Sequence, residues 1–271
     1  MAHKIQCTVG ILTFNSGQTI KAALESVRDF AEVIVCDGGS TDETLSLARA
    51  YGAKVIVQAP EFKGEGNKIA DFSGVRNQML SAASYPWFFS LDSDELMTPA
   101  LQAEIETLIS SGHPAAAFWV PRKYTIKGDV IDCAATYPTR QMRFFNRNAV
   151  TGFIKTIHER IEPHHGAPVF TLKNLMLVPF NPDPLFHRRK WQHYIDLEVA
   201  RLGRVSFWGW LKMCADNFKI SLLYAFRYFR NLFFCRGRRM PWRLEWERHM
   251  YHINTCRRFW KLIGKVGIDK M

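Results

Sequence analysis

The sequence lacks the patterns that mark several classes of protein. Its 271 residues include six cysteines, but none of them has CxxC or CxxH spacing, so neither a zinc site nor a disulfide framework is predicted. Glycine (17) and proline (12) are not in excess, and no internal repeat or low-complexity segment occurs, which argues against a disordered or fibrous chain. The first residues have no signal-peptide pattern, and we therefore expect a reduced, cytosolic protein.

Acidic residues are scarce in the last third of the chain. Residues 187–271 contain 19 Lys and Arg against 6 Asp and Glu, a net charge of +13, whereas residues 1–186 contain 17 against 19, a net charge of −2. A localised positive charge of this size predicts an anionic partner, either a nucleic acid or a membrane surface. We therefore expect two domains, an α/β domain over residues 1–186 and a basic extension over residues 187–271.

Short apolar runs alternate with helical patterns in the first part of the chain. Strands are predicted at 5–13, 32–36, 54–58 and 87–91, and helices at 19–30, 41–51, 67–83 and 99–110. Ser40 and Glu43 have the spacing of a capping box before the second helix. This order predicts a mostly parallel sheet flanked by helices, whose ligands bind beyond the carboxyl ends of the strands. Strand-like pieces follow at 118–124, 129–133 and 142–146, with a turn at 127–129, and the chain is predicted to be helical from Arg188 onward.

Polar residues follow three of the predicted strands. Thr13 and Asn15 end the first, Asp37 begins a Gly- and Ser-containing loop after the second, and Asp92-Ser93-Asp94 follows the fourth. Each segment alone could be an ordinary turn, but their recurrence at successive strand ends indicates a ligand site. The two carboxylates of the last segment suit Mg²⁺ or Mn²⁺ bound to phosphate oxygens. The alternative is that they only cap the helix that follows.

The order of these motifs closely resembles glycosyltransferase family 2. The motifs are VGILTFN, VIVCDGGSTDET, the segment from Lys68 to Arg76-Asn77, and FSLDSDE. The later segments WVPRKYTIKGDVI, RQMRFF and TIHE are similar to its branch of bacterial lipopolysaccharide-core β-glucosyltransferases of the WaaE type. The resemblance covers about residues 4–187 and implies a GT-A (Rossmann-like) fold. It also implies inverting transfer from a nucleotide-sugar donor, a UDP-sugar, to a hydroxyl of a lipid-linked or lipopolysaccharide-core glycan acceptor.

The resemblance implies a donor site and a metal site. The residues expected to bind the donor are Thr13, Asn15, Asp37, Lys68, Arg76, Asp92, Ser93 and Arg143. A divalent metal ion, Mg²⁺ or Mn²⁺, is expected on Asp94, Asp92 and His158. The metal ion and either Arg76 or Arg143 would receive the negative charge of the leaving diphosphate. Gly38 stands where many relatives carry a second Asp, so contact with the base of the donor nucleotide would rest on Asp37 alone.

Two carboxylates are candidates for the catalytic base. Glu159 is the first choice, because it follows His158 in the family pattern and a carboxylate can take the proton of the acceptor hydroxyl. Asp132 is the alternative. Outside the family pattern, an isolated His-Glu pair would more often be structural than catalytic.

The basic extension contains a segment suited to a membrane surface. Residues 216–235, DNFKISLLYAFRYFRNLFFC, combine a broad apolar helical face with three cations that fall within about 80° of one another on a helical wheel. These cations are Lys219, Arg227 and Arg230, and they interrupt the segment too often for easy spanning of a bilayer. The RGRR cluster at 236–239 suits anionic head groups. We therefore expect peripheral binding to the inner face of the cell membrane; the alternative is a helix that only packs on the rest of the protein.

Three other functions remain open. A sugar-phosphate nucleotidyltransferase uses a similar sheet and metal, but it should have a Gly-rich loop with a basic residue where this chain has Asn-Ser-Gly-Gln at 15–18. A nucleic-acid-binding protein would explain the basic, aromatic extension but leaves the acidic strand ends unexplained, so nucleic acid is not an expected partner. A catalytically inactive relative is the third, against which the presence of Asp94 and His158 argues.

Overall fold

The computed structural model describes residues 4–64, 69–156, 159–202 and 205–263. The chain forms two compact units. Unit 1 consists of residues 1–123 and 138–178, and unit 2 of residues 124–137 and 179–271. The predicted domain boundary after Phe186 stays a prediction. The second stretch of unit 1 ends at Val178, and residues 124–137 from the middle of the chain belong to the same unit as the C-terminal helices.

The first half of unit 1 is a parallel sheet with helices between its strands. The strands are β1 (Ile5–Thr13), β2 (Phe30–Asp37), β3 (Lys54–Val57) and β4 (Trp87–Asp92), in the order β3-β2-β1-β4. The helices are α1 (Gly17–Glu25), α2 (Thr44–Ala50), α3 (Phe72–Ala82) and α4 (Pro99–Ser110). Adjacent residues of one strand enter different apolar clusters, Phe88 in one and Phe89 in the other, because both faces of the sheet are covered. The predicted α/β fold is confirmed.

The remaining strands extend this sheet beyond β4. They are β5 (Leu96–Met97), β6 (Ala117–Ile126), β7 (Asp129–Val130), β8 (Thr139–Asn146), β11 (Val169–Thr171) and β12 (Met176–Pro179). β8 runs antiparallel to both β4 and β6. β9 (Val150–Ile154) and β10 (Arg160–Pro163) form a separate antiparallel pair. The turn predicted at 127–129 is confirmed between β6 and β7, where Lys127 and Gly128 have φ values of 52° and 86°.

The predicted capping box at Ser40 and Glu43 is wrong. α2 begins at Thr44, and Glu43 at its N-cap position makes no side-chain cap. The hydroxyl of Ser40 instead donates to Asp37 Oδ1 at 2.6 Å. Asp42 takes over the helix start, where its Oδ1 accepts the N–H of Thr44 at 3.0 Å. The strand-end aspartate competes successfully for the serine that the spacing argument assigned to the helix.

Unit 2 is mainly helical, as predicted for the basic extension. Its helices are α5 (Pro184–Leu202), α6 (Phe207–Phe234) and α7 (Trp242–Ile263), and α6 contains most of the segment 216–235. Polar pairs join α6 to α7: Ser221 Oγ lies 2.6 Å from His249 Nδ1, and Asn217 Oδ1 lies 2.7 Å from His252 Nδ1. Among the helices in the described part of the chain, none is both long enough and apolar enough to cross a membrane.

A disulfide in unit 2 corrects the expectation drawn from cysteine spacing. Cys133 and Cys235 are bonded, with their Cα atoms 6.1 Å apart. The spacing argument considers cysteines that are close in sequence, whereas these two are separated by 102 positions. Nearby, the main-chain N–H groups of Asp132 and Cys133 both donate to the carbonyl of Arg238, at 2.8 and 3.1 Å. The segment 124–137 is therefore tied both covalently and by hydrogen bonds to the turn that follows α6.

Candidate active site

The carboxylate of Asp37 organises the loop after β2. It accepts hydrogen bonds from the main-chain N–H groups of Gly39 and Ser40, at 2.8 and 2.7 Å, and from the hydroxyls of Ser40 and Thr13, at 2.6 and 2.9 Å. Burial alone would raise the pKa of Asp37, but the bonds from Ser40, Gly39 and Thr13 hold that pKa below its ordinary value. The loop is thus built around a buried, ionised carboxylate.

Hydrogen bonds tie the loop after β1 to the loops after β2 and β4. The N–H of Asn15 donates to the Ser40 hydroxyl at 2.8 Å, and its side-chain oxygen accepts the N–H of Thr41 at 2.9 Å. The hydroxyls of Ser16 and Ser93 lie 2.9 Å apart. The structure therefore brings the three predicted strand-end segments together at one edge of the sheet, as expected for parallel strands.

A network of arginine and carboxylate side chains surrounds Asp92. Arg76 Nη2 donates to Asp92 Oδ1 at 2.8 Å, and Arg143 Nη2 donates to Asp92 Oδ2 at 2.7 Å. Arg76 also donates from Nε to Glu159 at 2.7 Å and from Nη1 to the Ser90 hydroxyl at 2.6 Å. Desolvation would raise the pKa of Asp92, but the guanidinium groups of Arg143 and Arg76 hold that pKa far below its ordinary range. Asp92 is therefore ionised, with a cationic partner on each oxygen.

Glu95 and Arg122 complete the network, and the sequence analysis missed both. Glu95 is 2% exposed and accepts hydrogen bonds from Arg143 at 3.1 Å and Arg122 at 3.2 Å. Burial raises the pKa of Glu95. Its position directly after Asp94 was the available signal. Arg122 lies in the motif segment WVPRKYTIKGDVI, but nothing in that segment indicates that its side chain meets Glu95.

The network forms one wall of a cavity of about 450 Å³ within unit 1. The polar wall includes Arg76, Asp92, Arg143 and Glu159, and the apolar wall consists of Trp119, Met142, Phe153, Ile161 and Pro163. Seven of the twelve described lining residues are polar or charged, so a cavity of this size suits a small polar ligand. Four of the predicted site residues thus line one cavity.

Two of the predicted metal ligands lie within the described residues. Asp94 is exposed in the turn after β4, and each oxygen of Asp92 accepts a hydrogen bond from an arginine; their roles as metal ligands stay predictions. His158 lies outside the described residues, as does Lys68. Within the described ranges, no three His, Cys, Asp or Glu side chains are grouped so that they could hold a metal ion. Mg²⁺ is commonly held by one or two carboxylates together with substrate phosphates, so Asp94 fits as such a ligand.

Asp132, the alternative base, lies in unit 2. Its Oδ2 accepts the main-chain N–H of Arg238 at 3.1 Å. A Cβ atom at the preceding Gly237, where φ is +106°, would lie 2.4 Å from the same oxygen. The structure therefore gives Asp132 a part in a tight turn, and its role as a base stays a prediction.

Comparisons with known proteins identify relatives of this chain. The family model described as "Glycosyl transferase family 2" matches residues 8–158, which is more than half of the chain. The SPbeta prophage-derived glycosyltransferase SunS of Bacillus subtilis (strain 168) is 32% identical over 99 residues, which cover 36% of this chain and 22% of SunS. The lipopolysaccharide core biosynthesis glycosyltransferase LpsC of Rhizobium meliloti (strain 1021) is 24% identical over 167 residues, covering 60% of this chain and 59% of LpsC.

Both matches span less than two thirds of the relative's own length. Among solved structures, S. aureus TarS 1–349 in complex with UDP-GlcNAc has a TM-score of 0.45 and 16% sequence identity. That likeness covers 65% of this chain and 58% of the TarS chain.

Proposed function

The chain belongs to glycosyl transferase family 2, and we propose that it is an inverting enzyme that moves a sugar from a UDP-sugar to an acceptor hydroxyl. One observation carries the proposal. The loops after β1 and β2, which are expected to bind the nucleotide, and the charged cavity both adjoin the carboxyl end of β4. Asp92 lines the cavity, while the next residue, Ser93, contacts the loop after β1. A donor lying across this edge would place its nucleoside on the loops and its sugar in the cavity.

Arg76 and Arg143 are proposed to bind the diphosphate of the donor. Both guanidinium groups are buried and are oriented by Asp92, so their remaining donors are held in place before a ligand arrives. Preorganised cationic donors stabilise charge that develops on a leaving group more strongly than mobile ones do. The two arginines would therefore favour departure of the nucleoside diphosphate.

Glu159 is proposed as the base that takes the proton of the acceptor hydroxyl. It lines the same cavity as Asp92, and the bond from Arg76 Nε fixes the position of its Oε1. A carboxylate on the side of the sugar opposite the diphosphate would direct in-line attack, which inverts the anomeric carbon. Asp132 remains the alternative base within the proposal.

A divalent ion, Mg²⁺ or Mn²⁺, is part of the proposal. Asp94 would hold the ion, and His158 remains a predicted second protein ligand. When bound, such an ion neutralises charge on the diphosphate. The exposed position of Asp94 supports this assignment, because donor phosphates must share the ion with the protein.

We propose a lipid-linked or lipopolysaccharide-core glycan as the acceptor and an anionic membrane surface as a second partner. The relationship to LpsC supports the acceptor class. The exposed face of α6 supports the membrane partner: apolar side chains recur on it at helical spacing, among them Trp208, Leu211, Leu222, Phe226, Phe229 and Phe233. Phe233 is 78% exposed. Basic side chains lie beside this face, as in helices that rest in a lipid head-group region.

The proposed location is the cytosolic side, peripheral on the inner face of the cell membrane. The Cys133–Cys235 disulfide opposes it, because persistent disulfides are typical of oxidising compartments. Alkylation of free thiols in intact cells, followed by mass spectrometry, decides between the cytosolic side and an oxidising compartment. Alkylated Cys133 and Cys235 are expected in the cytosol, and a protected pair would contradict that location.

The enzymatic proposal is tested by a donor screen with the full chain. We expect release of UDP from at least one UDP-sugar in the presence of Mn²⁺, and loss of that release with a chelator. Absence of turnover and of binding across UDP-, GDP-, CMP- and dTDP-sugars would contradict it. Release of pyrophosphate from a nucleoside triphosphate and a sugar 1-phosphate would instead favour a nucleotidyltransferase.

A further inference from the structure

Glu95 lies behind the cavity rather than in it. Its side chain is 2% exposed, and the described residues that line the cavity do not include it. A ligand in that space therefore does not touch Glu95. Its carboxylate can influence the site only through the groups that it holds.

One of these groups is the turn that carries Asp92 and Asp94. The N–H of Glu95 donates to the carbonyl of Asp92 at 3.0 Å, and the N–H of Asp92 donates back to Glu95 Oε2 at 3.1 Å. These two bonds hold the ends of the turn together, one through the main chain of both residues and the other through the side chain of Glu95. They fix the direction in which the exposed Asp94 leaves the strand.

The same carboxylate lies between two guanidinium groups from different strands. Arg143 on β8 donates to it at 3.1 Å, and Arg122 on β6 donates at 3.2 Å. Arg143 Nη2 also donates to Asp92 at 2.7 Å, so this one nitrogen is shared between Asp92 and Glu95. The direction of the Arg143 side chain depends on both acceptors.

The charges of the network balance formally. Its cations are Arg76, Arg122 and Arg143, and its anions are Asp92, Glu95 and Glu159. Removal of the charge of Glu95 would leave the largely buried guanidinium of Arg122 without its anionic partner. Arg143 would then lose one of its two anionic acceptors and change its direction toward Asp92.

We infer that Glu95 is a positioning residue for sugar transfer, which holds Arg143 and the Asp92–Asp94 turn in the orientation that receives the leaving diphosphate. The inference rests on the proposed function, because the diphosphate enters through it. Glu95 itself contacts neither donor nor acceptor. Its effect on the reaction passes through Arg143 and through the turn.

The positioning claim is tested first without any ligand. Glu95→Gln is compared with Glu104→Gln, a matched glutamate on α4 that accepts main-chain N–H groups from Lys173 and Asn174, each at 2.8 Å. The Arg143 Nε–H signal, assigned by its loss in Arg143→Lys, is expected to shift or broaden in ¹H–¹⁵N spectra of Glu95→Gln and to stay in place in Glu104→Gln. An unchanged signal in Glu95→Gln overturns the claim. If Glu95→Gln does not fold, Glu95→Asp replaces it, with the same expectation.

The effect on reaction is tested with UDP-glucose, or with whichever UDP-sugar the wild type hydrolyses fastest. We expect Glu95→Gln to lower kcat about 100-fold, as for a misplacement near 1 Å, and to raise the Kd of UDP by no more than Arg143→Gln raises it. Because Glu95 acts partly through Arg143, the loss of kcat in the double variant with Arg143→Gln is expected to be smaller than the product of the two single losses. Multiplying losses, or a normal kcat, overturn the inference. If the wild type hydrolyses no UDP-sugar, the proposed function fails, and the Arg143 signal still decides whether Glu95 positions that side chain.

Discussion

Unit 1 and unit 2 differ in where they place their large apolar side chains. In unit 1 these side chains form two buried clusters on the two faces of the sheet, and its exposed apolar groups are few and scattered. In unit 2 they recur along the surfaces of α5, α6 and α7, together with most of the positive charge of the chain. Contiguous exposed apolar surface in a soluble domain usually marks a binding surface. One chain thus combines a unit that buries most of its large apolar side chains with a unit that exposes many of them.

The proposed reaction takes place in unit 1, and a variant of Asp94 tests it most strongly. Asp94→Ala is expected to lower kcat by roughly 1,000-fold or more, because it removes the carboxylate that would hold the metal ion at the diphosphate. UDP release with Mn²⁺ is measured after circular dichroism has shown that the variant is folded. Near-normal turnover in the presence of a chelator would contradict the metal-dependent mechanism.

The choice of base sharpens the comparison, since one candidate belongs to each unit. Glu159→Gln is expected to lower kcat about 100- to 10,000-fold with little change in donor affinity, because the amide keeps the shape but cannot accept a proton. Asp132→Asn is the matched variant and is expected to stay active. Loss of turnover in Asp132→Asn, with an active Glu159→Gln, would move the role of base into unit 2.

The outward-facing surface of unit 2 is tested on α6. Phe226, Phe229 and Phe233 are replaced together by Ser. Partitioning onto anionic vesicles is expected to fall about 100-fold, because each ring that is removed takes away roughly 1 kcal/mol or more of insertion free energy. Phe170→Ser, an exposed phenylalanine of unit 1, is the control. Cosedimentation with vesicles of 0 and 40% phosphatidylglycerol measures both. Binding that is equal in all variants, or indifferent to anionic lipid, would show that α6 is not the membrane surface.

The smallest effect concerns the polar pairs between α6 and α7. Burial lowers the pKa of His249, and burial with nearby His249 and Arg248 lowers that of His252. The unfolded chain therefore binds more protons than the folded one as the pH falls through the ordinary histidine range, so stability must fall in that direction. The urea midpoint is expected to be lower at pH 5.5 than at pH 7.5, and the difference to be smaller in His252→Gln. The exposed His165→Gln serves as control and should retain the full difference.

Local pattern predicted the order of the regular elements of unit 1 and some of their bounds, but the helix predicted at 19–30 is wrong at its end, because α1 ends at Glu25 and Phe30 begins β2. β1 has the predicted bounds, and seven of its nine residues are buried. α4 also has its predicted bounds, since Thr98 caps its first turn and Pro99 occupies its first position. α3 begins at Phe72 rather than at residue 67, because Asp71 accepts the N–H of Gly74 at 3.0 Å and so caps the helix later than the apolar pattern indicated.

The sequence could not predict which charged residues meet across strands. Asp92, Arg76, Arg143 and Glu159 were named from family motifs, and the structure joins them in one network. Glu95 and Arg122 both lie within motif segments, but no role is assigned to either from the sequence, and their pairing depends on the register of strands far apart in sequence. The same limit explains the missed disulfide, because distant cysteines are brought together only by the path of the chain.

That path makes the two units interleaved rather than consecutive. The chain leaves unit 1 after Lys123, forms residues 124–137 of unit 2, returns to unit 1 for residues 138–178 and leaves again. The Cys133–Cys235 bond closes a covalent loop around the whole returning segment. In the chain-entropy description, closing a loop of about 100 residues disfavours the unfolded ensemble by roughly 4–5 kcal/mol. Because the chain crosses between the units three times, neither unit is a contiguous piece of chain, and no single cut would separate one from the other.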